Sequence, residues 1–266
     1  MEVLTQACDA GYTTVQYNMA CSGLSSLPAV IAPDVNAAIR SATQHTGVSI
    51  VALSATYNMI HPDASVRTAG HASLAVLAEL AHTLGIPMLT LCTGSRNAAD
   101  QWAAHPDNSS AESWHDLQES LERAIVLAER YDVSLGIEPE PSNIVSSAIV
   151  ARRLIDELGS ARLGFVIDAA NLIGDVLRES ASTRHDVISR SVDLLADRIN
   201  LVHAKDRRSD GTFVSPGQGD IDFVEYFSAL KAAGVQAPVI THGLAATDAR
   251  RAAVYLRECL VASGLA

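Results

Sequence analysis

The sequence has too little positive charge for a phosphate-bearing partner. Its 266 residues include 19 Lys and Arg against 30 Asp and Glu, which gives a formal net charge of −11. Proteins that bind a nucleic-acid backbone or an anionic membrane surface need the opposite balance. No apolar run approaches the roughly 20 residues that span a bilayer. We therefore expect neither nucleic acid nor a membrane as a partner.

Cysteine is also scarce. The chain has four cysteines, which lie far apart and form no C-x-x-C pair: Cys8, Cys21, Cys92 and Cys259. This spacing predicts neither a disulfide framework nor a structural zinc site. The first residues lack the basic start and long apolar core of a signal peptide. We therefore expect free thiols and a cytoplasmic protein.

Two widespread catalytic signatures are missing. No G-x-S-x-G sequence is present, so a serine nucleophile of the hydrolase type has no support. A dinucleotide-binding open sheet would need a glycine-rich turn after the first strand, and none is found there. The pair Gly217 and Gly219 comes late in a long loop and predicts a tight turn, with Asp220 or Asp222 capping the next helix.

What the sequence does contain is a regular alternation. Short apolar, β-branched runs are separated by longer segments of helical period, such as the one that carries Leu74, Leu77, Ala78 and Leu84 on one face. Runs of strand character that alternate with helices predict repeated βα units and a parallel sheet. Seven such runs are present, at residues 14–18, 49–54, 88–93, 134–138, 164–168, 199–204 and 238–241.

The links between these elements are unequal in length. Connections from helix to strand are short, whereas the strand-to-helix connections at residues 94–112 and 205–222 are long. In α/β barrels the loops after the strands build the active site. No linker marks a domain boundary, and the chain opens on a helix at residues 1–10. We therefore predict a single domain over residues 1–266, a (β/α)8 TIM barrel that lacks its first strand and whose open edge favours a homo-oligomer.

Four residues with metal-binding side chains follow this repeat. Glu138, Asp168, His203 and His242 lie at or just past the ends of four successive runs, and each spacing is one βα unit. In a barrel such positions converge at one mouth. Two carboxylates and two imidazoles suit one divalent ion, with Mn, Co or Zn favoured over Mg. The alternative is that each residue separately caps a strand or binds a loop amide.

Four short motifs follow one another along the chain. They are LGIEP at residues 135–139, GFVIDAAN at 164–171, VHAKD at 202–206 and PGQGDIDF at 216–223. In these motifs, and over nearly its whole length, the chain resembles the xylose-isomerase-like TIM-barrel superfamily of sugar phosphate isomerases and epimerases, which also contains endonuclease IV. The resemblance implies a metal held by Glu138, Asp168 and His203. It also implies a first strand that normally precedes Met1.

Two positions depart from the pattern of this superfamily. Its last strand usually ends in a second glutamate, which is a metal ligand and often an acid–base group, whereas this chain has His242. Many members carry a histidine three residues after the aspartate, where this chain has Asn171. Imidazole binds the same transition metals, but a site with one less negative charge holds Mg less well.

The resemblance implies an isomerase or epimerase that acts on a sugar, a polyol or a sugar derivative. A divalent ion that holds two substrate oxygens stabilises an enediolate, while a base removes a proton from the neighbouring carbon. Glu138 and His242 are the candidate catalytic residues, with Glu138 as the base. A hydro-lyase of the inosose-dehydratase type and a barrel that binds a ligand without turnover are the alternatives. An endonuclease IV-like nuclease would need more histidine ligands and a basic groove.

Five further residues are candidates for binding a small polyhydroxy substrate. Lys205 and Asp206 follow the metal histidine at the mouth, where their alternative role is a salt bridge that shapes the loop. Asn171 lies beside the metal positions and could orient a ligand. Trp102, in the loop at residues 94–112, could stack on a sugar ring or anchor the loop on the barrel. His61 follows another strand and would line the same cavity.

Overall fold

The structure is a computed structural model that describes residues 2–265, without the side chain of Asp175. Helices and strands alternate along this range. The helices are α1 (Glu2–Ala10), α2 (Pro33–Thr46), α3 (Ala64–Leu84), α4 (Ala111–Tyr131), α5 (Ala148–Leu158), α6 (Ala169–Leu172), α7 (Ala181–Leu195), α8 (Phe223–Ala232) and α9 (Ala249–Ser263). The strands are β1 (Thr14–Tyr17), β2 (Ser49–Ser54), β3 (Met88–Cys92), β4 (Ser134–Glu138), β5 (Leu163–Asp168), β6 (Ile199–Ala204), β7 (Asp206–Arg207), β8 (Phe213–Val214) and β9 (Val239–Thr241).

Seven parallel strands form one sheet in the order β1-β2-β3-β4-β5-β6-β9. The last strand, β9, approaches β1, but within residues 2–265 these two are the unpaired edges of the sheet. A cavity of about 670 Å³ lies beside both edges and is lined in part by Thr14, Gln16 and Thr241. The fold is therefore a nearly closed TIM barrel with one strand missing, which confirms the prediction from the sequence.

Apolar side chains fill the inside of the barrel beneath its mouth. Val166 and Leu201 precede Asp168 and His203 by two residues, so the alternation of a strand turns both pairs inward. A Cβ on Gly136 would lie 2.9 Å from Val166, which explains the glycine at this inward position. The layer consists of Ala52, Met88, Val166, Leu201 and Ile240.

Outward-facing strand residues pack against the helices. Leu135 and Ile137 of β4 and Phe165 of β5 are fully buried in the main hydrophobic core, together with Leu117 and Leu121 of α4. The start of α8 is stabilised by a side chain, because Asp222 accepts a hydrogen bond from the backbone N–H of Glu225. Asp222 was one of the two residues predicted to cap this helix. No helix within residues 2–265 has the length and apolar character needed to cross a membrane.

Two short elements were not predicted. The helix α6 begins directly after β5, where Asp168 accepts a hydrogen bond from the backbone N–H of Ala170. The predicted loop at residues 205–222 contains an antiparallel hairpin in which Arg207 of β7 is paired with Phe213 of β8. This hairpin brings an aromatic side chain to the mouth of the barrel, as described below.

Candidate active site

The four predicted metal-binding residues meet at the carboxyl end of the sheet. Glu138 and Asp168 are the last residues of β4 and β5, His203 is next to last in β6, and His242 directly follows β9. Asp168 and His203 are register partners in neighbouring strands. One ligand atom from each of Asp168, His203 and His242 lies within 4.8 Å of the others. The strands therefore bring donor atoms together as the spacing predicted.

Asp168 presents one free oxygen to this cluster. Its Oδ1 accepts the backbone N–H of Ala170 at 2.9 Å, so the start of α6 fixes the orientation of the carboxylate. Its Oδ2 is buried and has no hydrogen-bond partner, although Lys205 Nζ lies 3.3 Å away. Burial raises the pKa of Asp168, and the Lys205 ammonium opposes that rise. A buried carboxylate oxygen without a hydrogen bond calls for an explanation, and a bound cation would supply one.

Glu138 and His203 form a close pair beside it. Glu138 Oε1 lies 3.3 Å from His203 Nδ1 and accepts a hydrogen bond from Asn171 Nδ2 at 2.9 Å. Burial acts to raise the pKa of Glu138, but His203, Lys205 and His242 outweigh it and lower the pKa to about 2. Glu138 is therefore ionised at neutral pH. His203 is 1% exposed, and its Nδ1 has no hydrogen-bond partner.

His242 covers this pair from the solvent side. Its ring stacks on His203, with centroids 4.6 Å apart and planes inclined by 15°. The residue is itself exposed at the mouth. Loss of surrounding water, together with the nearby His203 and Lys205, lowers the pKa of His242 to about 4. The imidazole is therefore neutral at physiological pH and keeps a lone pair for a ligand or a proton.

Lys205 and Asn171 complete the floor of the mouth. Lys205 Nζ donates to Asn171 Oδ1 at 3.1 Å and also lies 4.5 Å from the centroid of the Phe213 ring. Burial acts to lower the pKa of Lys205. The carboxylates of Asp168, Glu138 and Glu140 outweigh this effect, so the pKa is raised. The side chain is therefore a buried ammonium among the carboxylates. Phe213 is 49% exposed, and nothing in the sequence pattern indicated its position.

Asp206 does not face the mouth with a free oxygen. Its Oδ1 accepts the backbone N–H groups of Arg207 and Ile221, and its Oδ2 accepts those of Gly217 and Gly219. The residue is 0% exposed. A Cβ on Gly219 would collide with Asp206 Oδ1. These contacts run against the expectation that Asp206 binds substrate, because all its hydrogen bonds order the loop instead.

The remaining two candidates for substrate binding are Trp102, in the long loop at residues 94–112, and His61, which contacts that loop. His61 uses both ring nitrogens: Nδ1 accepts the backbone N–H of Asp63 at 3.0 Å, and Nε2 lies 3.2 Å from the carbonyl oxygen of Ala98. These bonds leave His61 without a free nitrogen for substrate. Trp102 is 48% exposed, and its backbone N–H is held by Asp100. Its role in substrate binding stays a prediction.

Sequence reasoning missed part of the site. Gln16 of β1 lies inside the barrel, where its Oε1 is 2.8 Å from His203 Nε2. The only feature of the sequence that could have identified it is that a polar residue stands inside a strand. Ligand atoms of Cys92, Glu138 and Glu140 also lie within 4.8 Å of one another. Burial and the neighbouring Glu138 raise the pKa of Glu140 to about 7. The mouth therefore carries a third carboxyl group; the position of Glu140 beside the predicted ligand Glu138 in the sequence suggests either a role in orienting ligands or a surface position.

The donor set fits a divalent transition-metal ion. Two carboxylates and two imidazoles are the ligands that Mn, Co and Zn accept in proteins. The buried, unpartnered Asp168 Oδ2 and His203 Nδ1 are the kind of atoms that a bound ion would satisfy. The Lys205 ammonium beside Asp168 opposes any second positive charge at this position.

Comparison with known proteins finds one family. A family model described as xylose isomerase-like TIM barrel matches residues 4–259. No curated protein sequence matches the chain.

Several solved structures share the fold at low sequence identity. A 3-keto-D-glucoside 4-epimerase from E. coli has a TM-score of 0.75 at 16% identity, over 94% of this chain and 91% of its own. An L-ribulose 3-epimerase has a TM-score of 0.75 at 16% identity, over 98% and 89%. A D-psicose 3-epimerase from Clostridium cellulolyticum H10, solved with D-tagatose, has a TM-score of 0.74 at 13% identity, over 97% and 93%. Identities this low show a common fold.

Proposed function

The chain belongs to the xylose isomerase-like TIM-barrel family, and we propose that it is a divalent-metal-dependent isomerase or epimerase of a sugar, polyol or sugar derivative. One observation carries this proposal. Two buried polar atoms without a hydrogen bond, Asp168 Oδ2 and His203 Nδ1, converge with His242 at the barrel mouth. Because leaving such atoms unpaired costs free energy, they support a site built to hold an ion. We also propose that the whole chain acts as one domain.

Glu138, Asp168, His203 and His242 would hold the ion. A divalent ion held there would polarise a substrate carbonyl and stabilise the negative charge that develops on its oxygen. Asn171 donates to Glu138 and accepts from Lys205, so it fixes the orientation of both.

Proton removal falls to Glu138. It is ionised at neutral pH, as a base must be, and one of its oxygens, Oε1, is held by Asn171. The other oxygen would take the proton from a substrate carbon held beside the ion. Lys205, a buried ammonium in the same floor, would donate a hydrogen bond to a substrate oxygen. A small polyhydroxy compound supplies both a carbonyl and neighbouring hydroxyls for these contacts.

His242 raises a second candidate function, that of a hydro-lyase. A two-base epimerase needs a proton carrier on each face of the substrate, and Glu138 supplies one face only. A neutral imidazole and the Lys205 ammonium stand at the mouth with it. Dehydration would use Glu138 alone as the base: Glu138 would take the proton from carbon, and the neighbouring hydroxyl would leave as water with a proton donated by the Lys205 ammonium. The similar solved structures named as epimerases favour isomerisation or epimerisation as the first candidate.

Metal content tests the site directly. Purified protein should carry about one Mn, Co or Zn per chain, as measured by elemental analysis and by calorimetric titration of the chelator-treated protein. Asp168→Ala and Glu138→Ala should abolish this binding, whereas Asp186→Ala, at an exposed position of α7, should leave it intact. Wild-type protein that binds none of the three ions would refute the proposal.

Isotope exchange tests the reaction. The metal-loaded protein, incubated in deuterium oxide with a panel of ketoses and inososes, should incorporate deuterium beside the carbonyl of at least one compound. Glu138→Gln should block this incorporation. Dehydration without exchange in the recovered substrate would favour the hydro-lyase instead. Metal binding with neither reaction across the panel would favour a barrel that binds a ligand without turnover.

A further inference from the structure

Gln16 connects four strands through the inside of the barrel. Its side-chain Nε2 donates to Ser54 Oγ at 2.9 Å and to Thr90 Oγ1 at 3.0 Å. Its Oε1 lies 2.8 Å from His203 Nε2. The side chain of this β1 residue therefore joins β2 and β3 to the predicted metal histidine on β6.

The orientation of the Gln16 amide follows from these partners. Thr90 Oγ1 donates its own hydrogen to the carbonyl oxygen of Leu53 at 3.4 Å, so towards Gln16 it can only accept. Gln16 must therefore turn its NH2 group to Thr90 and its carbonyl oxygen to His203. An amide rotated by half a turn would place its NH2 group against His203 and lose the bond to Thr90, whose own hydrogen is donated to Leu53.

This orientation determines the hydrogen on the His203 ring. An amide oxygen only accepts, so His203 Nε2 must carry the hydrogen and donate it to Gln16. When the ring is neutral, Nδ1 then holds the lone pair. Nδ1 is the buried nitrogen without a hydrogen-bond partner, and it faces Glu138 Oε1 at 3.3 Å.

We propose that Gln16 is a positioning residue that selects Nδ1 as the nitrogen through which His203 binds the metal. This inference rests on the proposed metal site. A histidine ligand needs an acceptor for its second ring nitrogen, because that bond fixes both the hydrogen position and the rotation of the ring. Here the acceptor is a neutral amide on the edge strand β1, and two hydroxyl groups hold it in place. Gln16 thus fixes the rotation of the ring and the hydrogen on Nε2 before any ion arrives.

Two variants separate this role from simple packing. Gln16→Leu keeps the approximate volume but removes the acceptor, so the affinity for Zn or Co should fall by about 10- to 100-fold, the usual range for loss of such a partner. Thr90→Val keeps Gln16 but removes the hydroxyl that orients it, so a smaller loss in the same direction is expected. Gln44→Leu, at an exposed position of α2, should bind like wild type in the same calorimetric titration.

The hydrogen position is measured without any metal. Ring-nitrogen NMR of metal-free wild-type protein, at a pH well above the pKa of His203, should show the hydrogen on Nε2 alone. Gln16→Leu should show a mixture of two neutral rings, with the hydrogen on Nε2 in one and on Nδ1 in the other. If Gln16 served only to fill space, the substitution would leave the hydrogen on Nε2. A hydrogen on Nδ1 in wild type, or Gln16→Leu with wild-type metal affinity, would overturn the inference. Failure of wild type to bind any ion would instead refute the metal site and leave the NMR result standing.

Discussion

The imidazole rings of His203 and His242 lie face to face, with centroids 4.6 Å apart and planes inclined by 15°. Two imidazolium ions would repel each other at this distance. Burial acts to lower the pKa of His203, but Glu138 outweighs it and the pKa is raised. The pKa of His242 is lowered to about 4 by loss of water and by His203. Without a metal the positive charge therefore belongs to His203, and His242 remains neutral.

His242→Glu should tighten metal binding. The substitution adds a negative charge at the mouth, where it attracts the metal ion. We expect the dissociation constant for Mn to fall by about tenfold, which corresponds to about 1.4 kcal/mol, and that for Mg to fall more. His242→Gln is the control, since it changes the imidazole to a neutral side chain. Equal Mn affinities for the Glu and Gln variants in calorimetry would contradict the charge argument.

Lys205→Met should also tighten metal binding but weaken substrate binding. The ammonium lies 3.3 Å from Asp168 Oδ2, so it competes with an ion for the same carboxylate oxygen. Removal of this charge should lower the dissociation constant for Mn by about tenfold, or about 1.4 kcal/mol. The KM for a substrate found by the exchange panel should rise because one hydrogen-bond donor is lost. Lys231→Met, at an exposed position of α8, should change neither constant; weaker metal binding by Lys205→Met would refute the competition.

Glu140→Gln should change how stability depends on pH. Burial and Glu138 raise the folded-state pKa of Glu140 from 4.5 to about 7, so between these values the folded protein holds a proton that the unfolded chain releases. The stabilisation is fully present below pH 4.5 and is lost as the pH rises through about 7. In chelator-treated samples, the Tm of wild type should therefore fall across this window relative to that of Glu140→Gln. Parallel Tm curves for the two proteins would show that Glu140 is not perturbed.

The barrel could be predicted because the same pattern of apolar residues repeats in each βα unit. Each strand alternates inward and outward residues and each helix buries one face, so the pattern of apolar residues reports both element type and order. The side chains of Glu138, Asp168 and His203 follow from the same regularity, because the carboxyl ends of parallel strands meet at one mouth. Membership in the family then agreed with the four motifs.

The contacts between distant segments could not be read in the same way. Gln16 and His203 are 187 positions apart, and no pattern of one strand reveals which side chain lies across the barrel. The use of Asp206 by backbone N–H groups depends on how the following loop folds back, which spacing does not report. Phe213 was missed because a two-residue strand in a hairpin has no measurable period. Sequence patterns predict elements; side-chain partners require the folded chain.

Asp206→Asn should destabilise the loop that borders the mouth. The carboxylate accepts four backbone N–H groups, two on each oxygen, and an amide can accept only at its one oxygen. Its NH2 group would face two donors, so two charge-assisted bonds are lost and the free energy of unfolding should fall by about 2 to 3 kcal/mol in urea titrations. Asp220→Asn is the matched control, because the Asp220 carboxylate accepts only the backbone N–H of Ser209 among the hydrogen bonds of residues 2–265 and is exposed. A loss of stability no greater than that of the control would mean that the loop does not depend on the Asp206 charge, and would return that carboxylate to the set of residues available to substrate.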